Sequence, residues 1–263
     1  MEEPEIDRVH KHTFYEILWV DEGNSSQTID YQTYELGMQS LFFISPGQVH
    51  VFEEWQPLKG GTILFTEDFF LLNQQNKDTL FELSFLDNVY TNPCLKLSST
   101  EFGEVRRTIE LLIKEKNRQE PSLQILQSLL KVLLHQIQRS IDTLSGGRIP
   151  KRQLILFKQF RQLVEEKFEQ NVTASDYAEE LNVTQHHLNR VVKEVTGKTA
   201  TEIIRARSML EVKRLLTFTD LTITEVSASL GYFDSSYFAK LFKKETGSSP
   251  KGFRNEMSEK YRN

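Results

Sequence analysis

LGYFDSSYFAKLFKKETGSSPKGFR, residues Leu230 to Arg254, is the stretch from which the rest of the chain is read. Gly231 closes a preceding helix, because only glycine enters the left-handed conformation of a helix C-cap without steric cost. Asp234 then caps a new helix by accepting from its first free backbone N–H groups. Phe238, Leu241 and Phe242 recur at helical spacing and form one apolar face, leaving Ser235, Ser236, Tyr237 and Lys240 off it. Gly247 ends that helix and Pro250 forbids its continuation. A short helix, a turn, then a helix presenting small polar and cationic side chains is the layout of a helix-turn-helix DNA reader.

The pattern occurs twice. Leu181-Asn182-Val183-Thr184-Gln185-His186-His187-Leu188-Asn189-Arg190, running on to Thr196-Gly197, matches the later stretch. Leu188 pairs with Phe238, Arg190 with Lys240, Lys193 with Lys243 and Gly197 with Gly247, all fifty residues apart. Upstream of the turn the offset is forty-nine, pairing Thr173 with Thr222, Leu181 with Leu230 and Asn182 with Gly231. The one-residue change falls inside the turn, where an insertion is tolerated best. Two copies are too few for a solenoid and imply a paired module.

Residues Leu154–Arg254 resemble the DNA-binding domain of the AraC/XylS family of bacterial transcription regulators. The resemblance runs through Gly231-Tyr232, Ser236-Tyr237-Phe238, Phe242-Lys243-Lys244, Gly247, Pro250 and Phe253-Arg254. Lys240 stands where an arginine is commoner, and Val191-Val192 replaces an aromatic. The resemblance implies base contacts from Gln185, His186, Asn189 and Arg190 in the first unit, and from Ser235, Ser236 and Lys240 in the second. Asn suits adenine and arginine suits guanine in the major groove. Two serines and Ala239 discriminate bases poorly, so the first unit is expected to supply most of the sequence reading. Thr184, Lys243, Lys244, Lys251 and Arg254 are the phosphate candidates. Tyr237 either reaches a phosphate or packs beside Phe238, and Arg254 either meets a phosphate or pairs within the domain. His187 reads as simply solvent-exposed.

The net charge of −5 divides unevenly. Residues 1–152 hold 15 Lys+Arg against 22 Asp+Glu, a net −7, and residues 153–263 hold 17 against 15, a net +2. A field this weak makes DNA binding depend on local placement of cations, with a salt dependence set by phosphate contacts. The single cysteine, Cys94, excludes an intramolecular disulfide and a cysteine-based metal cluster. The start, MEEPEIDRVHKH, has no apolar stretch behind a basic flank, and no apolar run approaches the ~20 residues of a membrane span. A cytoplasmic location is expected.

Residues 8–66 read as short strands: Phe14–Val20, Ser26–Tyr31, Leu41–Ser45, His50–Glu54 and Gly61–Thr66. Asp21-Glu22-Gly23-Asn24, Ser45-Pro46-Gly47 and Lys59-Gly60-Gly61 read as the turns between them, which suits a small antiparallel barrel or jelly roll. His10, His12, Glu16 and Gly23 have the spacing of a cupin's first motif, and Pro46-Gly47 with His50 is similar to its second. His10, His12 and Glu16 share a strand's parity and project to one face. Histidines with a carboxylate are competent ligands for a divalent transition metal. The resemblance nevertheless implies a metal-free sensor barrel with no cofactor, its effector pocket formed by His12, Glu16, Leu18 and His50.

The apolar stretches Phe65–Asn73 and Leu80–Phe85 suit a cover over the barrel, made of a loop and short helical turns. From Thr100 the period turns helical. Phe102, Val105, Ile109, Leu112 and Ile113 share one face of a helix ending near Arg118. Pro121-Ser122 opens a second helix, Leu123–Thr143, with a long apolar stripe from Ile125 to Ile141. That stripe either covers the sheet or joins two copies in a homodimer. Leu154–Gln170 reads as the first helix of the C-terminal half. Thr199–Phe218 reads as a central helix with Ile203, Ile204, Met209, Val212, Leu215 and Leu216 inward, and Arg205, Arg207, Lys213 and Arg214 outward.

The expected fold is α+β in two domains. Residues 1–145 form a cupin-like β-barrel with an αα-hairpin for effector binding and dimerisation, 146–152 a linker, and 153–263 an all-α tandem helix-turn-helix domain. The expected function is a non-enzymatic, effector-responsive, sequence-specific transcription regulator. Its expected partners are double-stranded DNA, a small-molecule effector, a second copy and RNA polymerase. The alternatives are a metal-dependent cupin enzyme with a DNA-binding appendage, and a constitutive DNA binder whose barrel only dimerises.

Overall fold

The computed structural model describes residues 9–54, 58–72, 83, 85–86, 92–144 and 149–261. By its internal contacts the chain divides into two units, Met1–Pro150 and Lys151–Asn263. Residues 146–148 of the expected linker, and most of Leu80–Phe85, lie outside the described residues.

The first unit holds β1 (Tyr15–Glu22), β2 (Asn24–Ile29), β3 (Gln32–Gly37), β4 (Ser40–Ile44), β5 (His50–Glu54), β6 (Lys59–Phe65), α1 (Glu67–Leu71), β7 (Cys94–Lys96), α2 (Ser99–Lys116) and α3 (Leu123–Leu144). The strands form two antiparallel sheets, ordered β6-β1-β4-β7 and β3-β2-β5. Alternation along β1 explains the two cores. Ile17 and Trp19 point to a cluster closed by Val105 and Ile109 of α2 and by Leu130, Leu133, Leu134 and Ile137 of α3. Leu18 and Val20 point the other way, into a second cluster with Ile29, Leu36, Phe42 and Ile44 between the sheets.

Three expectations about this half are corrected. Ser26–Tyr31 is not one strand: Ile29 pairs with Gln32, and Asp30 and Tyr31 both have positive φ (46° and 68°), the backbone of a two-residue type I′ hairpin into β3. The Asp30 carboxylate fastens this turn by accepting from Val49 N–H at 3.2 Å and Gln48 Nε2 at 3.3 Å. Asp21 and Glu22 belong to β1, so only Gly23, at φ 92°, makes that turn. Lys59-Gly60-Gly61 is strand rather than turn. A Cβ on Gly60 would lie 2.0 Å from the Trp19 carbonyl oxygen, and one on Gly61 2.5 Å from the Trp19 ring. These glycines let β6 pass close to β1.

The second unit is helical: α4 (Lys151–Lys167), a 3₁₀ turn (Phe168–Gln170), α5 (Ala174–Glu180), α6 (Gln185–Thr196), α7 (Ala200–Phe218), α8 (Ile223–Ser229), α9 (Ser235–Thr246) and α10 (Pro250–Tyr261). Pro250 stops α9 as expected but also starts α10, where its missing N–H is no loss. Phe253 of α10 packs edge-on against Phe242 of α9, with ring centroids 5.5 Å apart. Arg207 was expected outward and is buried. It lies 3.7 Å over the Phe168 ring and bonds Glu165 at 2.7 Å and Glu211 at 3.1 Å. Among the described residues no helix is long and apolar enough to cross a membrane.

Candidate nucleic-acid interface

Both reader units are built from the same local signals. Thr173 caps α5 and Thr222 caps α8, each in a reciprocal capping box, with Asp176 and Glu225 respectively. These exposed carboxylates are held below their ordinary pKa by the bonds from Thr173 and Thr222. The turn then needs one left-handed residue, supplied by Asn182 (φ 54°) in the first unit and Gly231 (φ 73°) in the second. Thr184 caps α6 by accepting from His187 N–H, and Asp234 caps α9 by accepting from Ser236 and Tyr237 N–H. Gly197 and Gly247 end the two helices in the left-handed conformation.

The buried faces fix what each helix can offer. Leu188, Val191 and Val192 anchor α6, and Phe238 and Phe242 anchor α9. Gln185, His186 and Arg190 are thereby left exposed on α6, and Ser236, Tyr237, Lys240, Lys243 and Lys244 on α9; Ser235 is half-buried and Lys251 is exposed. Tyr232, not Tyr237, packs on Phe238, at 5.4 Å between ring centroids. Tyr237 stays 59% exposed, so the packing alternative for it falls. The strut between the units, α7, spans ~28 Å at 1.5 Å per residue. That is close to the ~34 Å between successive major-groove segments on one side of B-DNA.

Two expected roles change, those of Asn189 and His187, and of the two alternatives for Arg254 the pairing within the domain is the one found. Asn189 Oδ1 accepts the Ala200 N–H at 3.0 Å, at the start of α7, so its carbonyl is spent inside the protein. Two-point reading of adenine needs that oxygen as well as the amide nitrogen. Arg254 donates to Leu216 O at 3.1 Å and Leu221 O at 2.5 Å, which ties α10 to the end of α7 rather than to a phosphate. His187 is half-buried and its Nδ1 meets Arg190 Nη2 at 2.9 Å. That contact orients the guanidinium and leaves its remaining N–H donors for a base edge.

Sequence reading missed Phe233, which stands fully exposed beside the α9 cap on the rim of a cleft lined by Thr224, Ser227, Ala228 and Tyr232. Its signal was an aromatic residue inside the turn, off the helical period.

In the first unit, His12, Glu16, Leu18 and His50 do come to one face, between the sheets. Glu16 and Leu18 are on β1, while His50 on β5 stands opposite Ile29 of β2. His12 Nε2 is 3.1 Å from Glu16 Oε2, and His50 Nε2 is 3.9 Å from it. Burial pushes the His50 imidazole down to about 4, against the opposing pull of the Gln48 carbonyl bond, so the ring is neutral near pH 7. Gln27 on β2, two residues from Ile29 and on its face, is fully buried, and neither amide atom has a partner among the described residues.

Comparison with known proteins agrees with both halves. Residues 3–149 match the model of an AraC-like ligand binding domain, and residues 177–256 that of a helix-turn-helix domain. The chain is 25% identical to the HTH-type transcriptional activator RhaR of Cronobacter sakazakii, over 94% of this chain and 86% of that one. It is 24% identical to the HTH-type transcriptional activator RhaS of Yersinia pestis (strain Pestoides F), over 94% and 89%. Among solved structures, the C-terminal domain of AraT, a response regulator from Geobacillus stearothermophilus, is 31% identical. It covers 38% of this chain and 84% of that chain, with a TM-score of 0.37.

Proposed function

The chain belongs to the AraC family of DNA-binding transcription regulators, and from that premise we propose that it activates transcription from promoters gripped by both of its reader units. The observation carrying this reading is the pairing itself. Two units with matching caps, left-handed turn residues and glycine stops each present an exposed polar or cationic helix face. Activation follows the relatives, both named as activators.

In this reading α6 discriminates bases through Gln185, His186 and above all Arg190, whose fork suits guanine O6 and N7. The α9 unit holds the backbone through Tyr237, Lys243 and Lys244, with Lys251 of α10 and the Thr184 hydroxyl as further phosphate contacts, while Ser235, Ser236 and Lys240 make weaker base contacts. The first unit senses an effector between its two sheets, by His12, Glu16, Leu18, His50 and Gln27. A fully buried amide with no partner among the described residues costs about 1–3 kcal/mol per unmet group, and a polar effector relieves that cost. Leu111, Ile125 and Val132 are about half exposed on α2 and α3, which favours a homodimer through those helices. RNA polymerase is the remaining partner, the chain performs no catalysis, and it works in the cytoplasm.

The test is capture of fragments of the source genome by the purified chain, followed by sequencing. Recovery of a shared motif is expected, and Arg190→Ala should relax it at one base pair by about 1–3 kcal/mol. Recovery no different from the input DNA refutes sequence-specific binding.

A further inference from the structure

The cluster between the sheets has a property that neither the DNA-reading role nor the parity of β1 requires. Phe14 O lies 2.8 Å from His12 Nδ1, and Gln48 O lies 3.0 Å from His50 Nδ1. A carbonyl only accepts, so each Nδ1 carries the hydrogen and donates it. In a neutral ring Nε2 is then a bare lone pair, and both Nε2 atoms face the Glu16 carboxylate. Three atoms able to ligate a metal therefore converge, all within 4.8 Å of one another, in a setting where the His50 ring is 2% exposed. Such a set holds together only around positive charge. One proton serves the 3.1 Å edge between His12 and Glu16 and leaves His50 Nε2 with no hydrogen-bond partner among the described residues. A metal ion serves all three.

We propose that His12 Nε2, His50 Nε2 and the Glu16 carboxylate bind one divalent first-row transition-metal ion in the N-terminal unit. The distances suit it. With metal–ligand bonds of about 2.0–2.2 Å at tetrahedral angles, ligand atoms stand about 3.3–3.6 Å apart. The edges of 3.1 and 3.9 Å bracket that range, and the third, within 4.8 Å, closes with a shift of about 1–1.5 Å. Two imidazoles and one carboxylate favour zinc, iron, cobalt or nickel over calcium or magnesium, which prefer all-oxygen sets. The Phe14 and Gln48 carbonyls act as the outer partners that fix ring orientation in metal sites. The resemblance that implied a metal-free barrel says nothing about these two carbonyls. Binding would fasten the segment before β1, which carries His12, to β5, to which His10 is already joined by backbone bonds with His50 of 3.1 and 2.9 Å. The site rests on this geometry alone and stands or falls independently of the DNA reading.

The experiment uses the full chain, stripped with a chelator and titrated with Co²⁺. Binding is followed by the visible d–d spectrum of the bound ion and by elemental analysis after gel filtration. One ion per chain is expected, displaced by Zn²⁺. Glu16→Gln and His50→Gln should each weaken binding by more than about a hundredfold, beyond what loss of an outer partner does, with circular dichroism unchanged. If His50→Gln disturbs the fold, His12→Gln serves instead, because His12 lies outside every strand. Equal retention by wild type and variants means an adventitious ion only and overturns the site, as does a wild-type chain that retains no ion.

Discussion

Replacing Asn189 by alanine separates the role given by its place on α6 from the role given by its hydrogen bond. Its Oδ1 takes the N–H of Ala200, the first residue of α7, at 3.0 Å, and Ala200 is fully buried. That N–H has no intrahelical acceptor, as for every donor in a helix's first turn. Truncation leaves it unmet, at a cost of about 1–3 kcal/mol. For a unit spanning residues 151–263, each kcal/mol lowers the melting temperature by roughly 4–5 °C, so a fall on the order of 4–15 °C is expected. Differential scanning calorimetry of the full chain reads it as a shift of the C-terminal unit's transition. Asn189→Asp keeps an acceptor and places negative charge at the start of α7, so its melting should stay near wild type. On DNA, Asn189→Ala should weaken the selected site and its single-base variants by the same factor. A variant that melts like wild type but loses discrimination at one A·T pair would refute the structural role and restore Asn189 as a base reader.

Further outcomes follow from other contacts. Lys243→Ala should weaken binding to all sequences about equally and reduce the slope of log affinity against log salt by about 1, read by fluorescence anisotropy; an unchanged slope removes Lys243 from the phosphate contacts. Arg254→Met should leave that salt slope alone and lower the stability of the C-terminal unit by about 1–3 kcal/mol, read as a lower melting temperature, because the carbonyls of Leu216 and Leu221 lose their donor. Asp176, Glu202 and Glu225 are each held below their ordinary pKa by cap bonds, with Thr173, Thr199 and Thr222. A carboxylate with a lowered folded pKa adds stability above its unfolded value, which is lost as pH falls through the folded one. The C-terminal unit should therefore begin to lose stability below about pH 4.5, and Glu225→Gln should flatten part of that fall in a melting-versus-pH series.

How much of this was legible in advance depended on the range of each signal. The reader units were legible because their determinants act within about four residues. A threonine three positions before a carboxylate, a left-handed residue in the turn, and a glycine after the last apolar position are complete statements in local sequence. The errors arose where the partner lay far along the chain. Arg207 and Arg254 have the composition of surface cations. Nothing near Arg207 announces Glu165, forty-two residues upstream, and nothing near Arg254 announces the carbonyl of Leu216, thirty-eight upstream. Asn189 sits on the exposed side of α6 by periodicity, yet its oxygen is claimed by the next helix. The β2–β3 hairpin escaped because Asp30-Tyr31 adopts positive φ without glycine or asparagine, held by bonds from Gln48 and Val49. For the histidine cluster, parity gave the face and stopped there. That His12 and His50 converge on Glu16 depends on the pairing of β5 with β2 and on the bridge from His10 to His50. That both turn Nε2 towards Glu16 depends on two backbone carbonyls that hold the Nδ1 atoms, and no residue identity encodes the position of a carbonyl. Spacing of side chains can therefore nominate a ligand set, but whether those ligands need a cation is decided by the backbone behind them.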